Sequence, residues 1–170
     1  PVITLNGVSK VYFAPGWRIG YMAWHDPLGV LNNVRDGVER LLRSRLCAST
    51  PAQHGFLAGL TENQGWLSAH RELIKKRLDY SLSRIESIDG LECQPPGGSF
   101  YLFVRITDPN LALDDKKFVL DLLHKKHVLL VHGSGFSPEM GKGHFRMVCL
   151  PEVSVLSEAF DRIESFIRDG

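Results

Sequence analysis

Residues 6–22 read NGVSKVYFAPGWRIGYM, with Lys10 followed eight positions later by Arg18, which lies between Gly16 and Gly20. The apolar, β-branched run at residues 2–5 leads into this stretch and closes at Asn6-Gly7, which predicts a strand ending in a turn. A second strand is predicted over 17–24, where apolar residues alternate with others until His25-Asp26-Pro27 breaks the pattern. Lys10 is therefore expected at a strand end, where side chains are displayed. Lysine is a nucleophile or base only when neutral, and a nearby cation or partial burial moves its pKa from about 10.4 toward about 7 to 8. Arg18, flanked by glycines, could approach a bound anion closely, and its planar fork suits phosphate. Taken alone, one lysine and one arginine in a mixed-charge chain are more often solvated charges than reactive ones.

Apolar positions 31, 34, 38, 41, 42 and 46 share one helical face, and a second short helix is expected over 51–60 with Pro51 in its first turn. A longer helix is expected from Gly65 to Asp89-Gly90. Leu67, Ile74, Leu78, Leu82 and Ile85 form its stripe, and Arg71, Lys75, Arg77 and Arg84 are expected to face water. Strands follow at 91–93 and in SFYLFVRI (99–106), then a helix over 116–124, strands in VLLVHG (128–133) and HFRMVCL (144–150), and a final helix marked by Val155, Leu156, Ala159, Phe160, Ile163 and Ile167. Helix, strand, strand, helix, strand, strand, helix is the order of a compact α+β unit. The strand pair and two helices before it are expected to be too little for a core of their own, which suggests a piece of a longer protein.

The chain has 170 residues, 44% hydrophobic and 23% charged, with a formal charge of +1. That balance lacks the basic excess of a nucleic-acid binder. No apolar run approaches the roughly 18 residues of a membrane span, and the opening residues do not read as a charged-then-apolar leader. Cys47, Cys93 and Cys149 are sparse, odd in number and without a CxxC pair, so they read as thiols of a reducing, cytoplasmic compartment.

A lysine amine beside a phosphate clamp is what pyridoxal phosphate needs, and the string NGVSKVYFAPGWRIGYM resembles the cofactor-lysine segment of class I/II (fold type I) pyridoxal-phosphate-dependent aminotransferases. The resemblance continues in CASTPAQHGFLAGL (47–60), PPGGSFYLFVRI (95–106) and HGSGFSPEMGKGHFRMVCLP (132–151), essentially the whole chain. It implies the C-terminal half of such an enzyme, closest to the alanine/aspartate branch: an α/β fold in which residues 1–64 are the tail of the large cofactor-binding domain and 65–170 the small α+β domain. It implies Lys10 as the residue that takes the cofactor aldehyde and then moves a proton at substrate Cα, Arg18 as a phosphate ligand, and Arg146 as the bidentate partner of the substrate α-carboxylate. It also implies amino acid and 2-oxo acid substrates and a homodimer. Where many relatives carry serine three residues before the lysine, this chain has Gly7, and the nearest hydroxyl is Ser9. The family's upstream groups around the cofactor ring are absent from the sequence, so the isolated chain is expected to be inactive and to bind the cofactor weakly through Lys10. A C-S lyase on the same scaffold, or an effector-binding domain of a transcription regulator, would share these features.

Weaker motifs fall away. In GFSPEMGK (135–142) five residues rather than four separate the first glycine from Gly-Lys, and Gly143 replaces the hydroxyl residue of a P-loop. His124 and His127 have lysines between them and no third ligand at useful spacing, so no metal site is expected. Gly133-Ser134-Gly135 lacks the last glycine of a dinucleotide fingerprint. Arg43 and Arg45 read as helix-surface charges, while the resemblance implies a region near the other subunit's active site, where one could select an acidic substrate side chain; Cys149 reads as a core thiol.

Overall fold

The computed structural model describes residues 1–169. Contacts divide the chain into two compact units, Pro1–Ser68 and the residues from Ala69 onward.

In the first unit, strands β1 (Val2–Gly7) and β2 (Gly20–His25) form an antiparallel hairpin whose pairs run from Val2 with His25 to Gly7 with Gly20. Three helices belong to this unit: the single turn α1 (Val8–Val11), α2 (Asn32–Arg43) and α3 (Thr50–Thr61). The strand expected from residue 17 begins only at Gly20, because Pro15–Trp17 form a 3-10 turn and Arg18 is left-handed (φ 51°, ψ 42°). Nor does Lys10 sit at a strand end, since β1 turns directly into α1 and the lysine belongs to that helical turn. A small core does form here: Val8, Ile19, Ala52 and Phe56 are buried, with Tyr12, Ala14 and Ala48 against them. The apolar stripe of α2 is real as a pattern but remains uncovered, with Leu41 73% and Leu42 61% exposed.

The second unit holds most of α4 (Gly65–Ser87), then β3 (Leu91–Glu92), β4 (Tyr101–Ile106), α5 (Asp115–Lys126), β5 (Val131–His132), β6 (His144–Val148) and α6 (Val153–Asp169). This is the α+β order expected from the sequence, with a shorter β5. The sheet is antiparallel in the order β3-β4-β6-β5. Strand alternation sends Leu102, Val104 and Ile106 of β4 and Phe145 and Met147 of β6 into one core with Ile85, Phe118, Leu122, Phe160 and Ile163 of the helices. The opposite face carries Tyr101, Phe103 and Arg105 beside His144, Arg146 and Val148, so helices cover one side of the sheet and leave an aromatic and cationic side open.

Two arginines of α4 do not face water as the helical spacing predicts. Arg77 donates to the Leu150 carbonyl, and Arg84 pairs with Asp161 at 3.0 Å and Glu164 at 3.1 Å. The register of α4 against α6 and the end of β6 decides this, and periodicity within one helix carries no information about a partner helix. None of the described helices is long and apolar enough to cross a membrane.

Candidate functional site

The segment between β1 and β2 is closed at its base. Gly7 pairs with Gly20, and the Val8 N–H donates to the Ile19 carbonyl at 3.3 Å. The two strands meet so closely there that a Cβ on Gly20 would lie 2.5 Å from the Asn6 oxygen, and one on Gly7 would lie 3.0 Å from the Ile19 oxygen. Glycine at both positions therefore pinches the loop shut, which gives a local packing reason for Gly7. Val8, 1% exposed, anchors the first turn, and Lys10 lies on the exposed side two residues later.

The far limb of the loop is fixed by aromatic side chains on α3. A Cβ on Gly55 would fall 2.3 Å from the Trp17 ring, and one on Gly59 would fall 3.1 Å from Tyr12. Glycines four apart on α3 thus open a groove in which Trp17 and Tyr12 lie, while Tyr12 and Tyr21 both meet Phe56, with centroids 5.9 and 5.8 Å away. Arg18 follows Trp17 and leaves the loop as β2 begins. Its left-handed backbone is an uncommon conformation for a residue with a side chain, and its Nη1 donates to the Pro15 carbonyl at 2.8 Å. One closed loop thus issues both a primary amine and a guanidinium. These groups fit the aldehyde and phosphate ends of pyridoxal phosphate.

Arg146, in the second unit, lies on the open face of the sheet opposite Phe103. Tyr101, its diagonal neighbour on β4, places a ring 4.7 Å from the Arg146 Cζ. Phe136 places a second ring 4.5 Å from the same atom. The rings are themselves backed: Phe103 meets Phe136 edge-on at 6.1 Å and stacks on His144 at 5.0 Å. A guanidinium over an aromatic face gains about 0.5–1 kcal/mol when exposed and about 2 kcal/mol or more when desolvated. Arg146 also borders a groove of about 430 Å³ whose other walls include Val131, Val148, Pro151 and Val155. The sequence picks out Arg146 through the resemblance of its segment to the family. It gives no signal for Phe136, which comes from a loop.

That loop is held by two glycines that almost touch: a Cβ on Gly133 would lie 2.2 Å from the Gly141 oxygen, and one on Gly141 would lie 2.0 Å from the Gly133 oxygen. The Gly133 carbonyl accepts from the Phe136 N–H at 2.8 Å, and the buried Asp115 carboxylate accepts from the Ser134 N–H at 2.6 Å. Gly133 and Gly141 of GSGFSPEMGKG are thus committed to a backbone crossing. Among the described residues no group of three or more His, Cys, Asp or Glu side chains gathers to hold a metal. Burial pushes the thiols of Cys93 and Cys149 up, away from the thiolate form a nucleophile needs.

Comparison with known proteins gives one family throughout. The family described as aminotransferase class I and II matches residues 1–163. The glutamate-pyruvate aminotransferase AlaA of Haemophilus influenzae is 38% identical over 98% of this chain and 42% of its own length. AlaA of Escherichia coli K12 is 34% identical over 97% of this chain and 41% of its own. Among solved structures, an alanine aminotransferase from Pyrococcus furiosus is 48% identical, with a TM-score of 0.92, over 99% of this chain and 42% of its own. The chain thus spans about two fifths of the length of the relatives it matches.

Proposed function

The chain belongs to the class I and II aminotransferases, and from that premise we propose that it contributes the cofactor lysine and both anion clamps to an enzyme that moves an amino group between an amino acid and a 2-oxo acid. The observation that carries the reading is the closed β1–β2 loop, from which Lys10 and Arg18 both emerge. Bound pyridoxal phosphate would supply a reactive aldehyde and a ring that draws electrons from substrate Cα. Lys10 would hold the aldehyde end through Nζ and, once released by the substrate amine, move a proton at substrate Cα. Arg18 would bind the phosphate, and its fixed backbone would hold that end of the cofactor in place. Arg146 would bind the α-carboxylate and so orient the Cα–H bond for proton transfer.

The activities these relatives are named for support alanine with pyruvate, and glutamate with its 2-oxo acid, as the substrate pairs. Exposed apolar side chains on α2 support a homodimer, and three free thiols support a cytoplasmic setting. The test uses the complete protein that contains this chain, with alanine and 2-oxoglutarate, followed by pyruvate and glutamate formation. Lys10→Ala is expected to lower kcat by at least about a thousandfold, and Arg146→Lys to raise KM for alanine by about tenfold or more. Pyruvate and thiol released from a cysteine conjugate without any 2-oxo acid acceptor would instead assign a lyase. No turnover of either kind, with amino acids still bound, would assign a sensor.

A further inference from the structure

Two arginines in the described chain carry a buried Nε–H with no hydrogen-bond partner, Arg84 and Arg146. A buried, unsatisfied N–H is costly, and each case calls for an explanation. Arg84 supplies its own. Its Nη1 meets Asp161 at 3.0 Å, its Nη2 meets Glu164 at 3.1 Å, and its Cζ lies 5.9 Å from the centroid of the Phe160 ring. With Nε shielded, the two Nη ends of the fork each take a carboxylate. Arg146 has the same shielded Nε and closer rings, with centroids 4.7 and 4.5 Å from its Cζ rather than one at 5.9 Å. What differs is the anion: among the described residues no carboxylate or carbonyl accepts from Arg146.

We propose that Tyr101 and Phe136 are positioning residues that clamp the Arg146 guanidinium, so that a substrate carboxylate is taken end-on by Nη1 and Nη2. This rests on the reading of Arg146 as the carboxylate clamp and deepens it. An arginine guanidinium offers paired N–H groups along two edges, and the one that includes Nε is closed because Nε is shielded. The remaining edge, Nη1 with Nη2, is left for the carboxylate, and whatever holds the guanidinium plane also holds the plane of the bound carboxylate. Phe136 is held in turn by the Gly133–Gly141 crossing and by Phe103, and Tyr101 by the strand register. The clamp is therefore ordered before any ligand arrives, which removes the entropy loss an unstacked arginine would suffer on binding.

The test follows the arginine side-chain ¹⁵N spectrum of this chain, with propionate as the probe, a carboxylate that has no amine. A clamped guanidinium rotates slowly, so separate Nη resonances are expected for Arg146, and propionate should shift them while leaving its Nε resonance nearly still. Phe136→Leu and Tyr101→Leu, which keep apolar volume but remove the ring, should merge the Nη signals and weaken propionate binding by about tenfold. Tyr101→Phe should restore both. Phe136 is 52% exposed, so its replacement leaves the core intact and decides the matter even where Tyr101→Leu disturbs β4. If propionate shifts Arg146 but the leucine variants match the parent in spectrum and affinity, the clamp is overturned while the carboxylate reading stands. If propionate leaves Arg146 unmoved in the parent chain, the carboxylate reading fails, and the end-on geometry fails with it.

Discussion

The two units of this chain satisfy their sequences to different degrees. The second buries a continuous core of seventeen residues, from Ile85 to Phe166, and converts nearly every apolar stripe into contact. The first buries four, while Leu5, Leu41, Leu42 and Leu46 stay 61–88% exposed. Hydrophobic burial is the main favourable term in folding, so the balance against chain entropy is far more secure in the second unit. The proposed site residues divide along the same line. Lys10 and Arg18 belong to a loop held by a glycine pinch and three aromatic side chains, whereas Arg146 stands on a sheet backed by the large core. Reactive groups on a lightly supported loop need further chain or a cofactor to hold them, and a clamp on a full core does not.

The largest expected effect tests that difference directly. Phe160, fully buried among α4 and the sheet, should cost about 3–5 kcal/mol when changed to alanine. Native-state hydrogen exchange should then quicken by roughly two to three and a half decades at Val104, Phe145 and Met147, while the β1–β2 amides keep their parent rates. Equal quickening of the β1–β2 amides would show that the two units melt together and would break the comparison.

How much of this was legible in the sequence follows the same division. The element order of the second unit could be read because its strands alternate cleanly and its helices carry stripes with one destination, a core formed by the same residues. SFYLFVRI yields β4 almost residue for residue, since Leu102, Val104 and Ile106 are all buried. The β5 strand came out shorter because Leu129 and Leu130 precede the pairing with β6, and an apolar run alone does not say where hydrogen bonding starts. In the first unit, Lys10 was legible as a residue but not in its setting. Val8-Ser9-Lys10-Val11 has no helical period to read, and only the Val8–Ile19 bond and the glycine pinch turn it into a helical turn. The aromatic clamp was hidden for another reason: Tyr101 and Phe136 meet Arg146 through strand register and a long loop, which are long-range facts.

A smaller effect sharpens the comparison within the second unit. Arg84 and Arg146 share the shielded Nε, but only Arg84 has carboxylates, and both belong to partly exposed side chains. Solvent screening keeps the Arg84 pairs modest, so Arg84→Met should lower stability by about 1 kcal/mol. Arg146→Met should cost less than that, because it removes an orphaned N–H without parting an ion pair, and the methionine sulfur keeps contact with the two rings in place of the guanidinium. Urea midpoints of the two variants give the answer. A larger loss for Arg146→Met would make it a structural residue and weaken its proposed role in binding substrate.

The smallest effect uses the three thiols as reporters, one in the first unit and two in the second. Cys47 is exposed, Cys93 is half-buried with its thiol 3.5 Å from the Phe103 carbonyl, and Cys149 is buried at the end of β6, where its N–H donates to the Phe100 carbonyl at 2.8 Å. Burial is the main cause that pushes the Cys93 and Cys149 thiols up, so both stay protonated at neutral pH. Iodoacetamide attacks the thiolate, so at pH 7.5 Cys47 should be labelled first, Cys93 more slowly, and Cys149 only once the second unit opens. The same burial makes a statement about stability. A thiol raised in the folded state ionises first in the unfolded chain, so its contribution is complete below the unfolded value of about 8.5 and is lost as pH climbs through the raised folded value. The urea midpoint of the second unit should therefore fall between pH 7.5 and pH 9.5, and Cys149→Ala should flatten that fall. Labelling of Cys149 as fast as Cys47 in the folded chain would mean that the second core opens as readily as the first unit, and the contrast between the two would not hold.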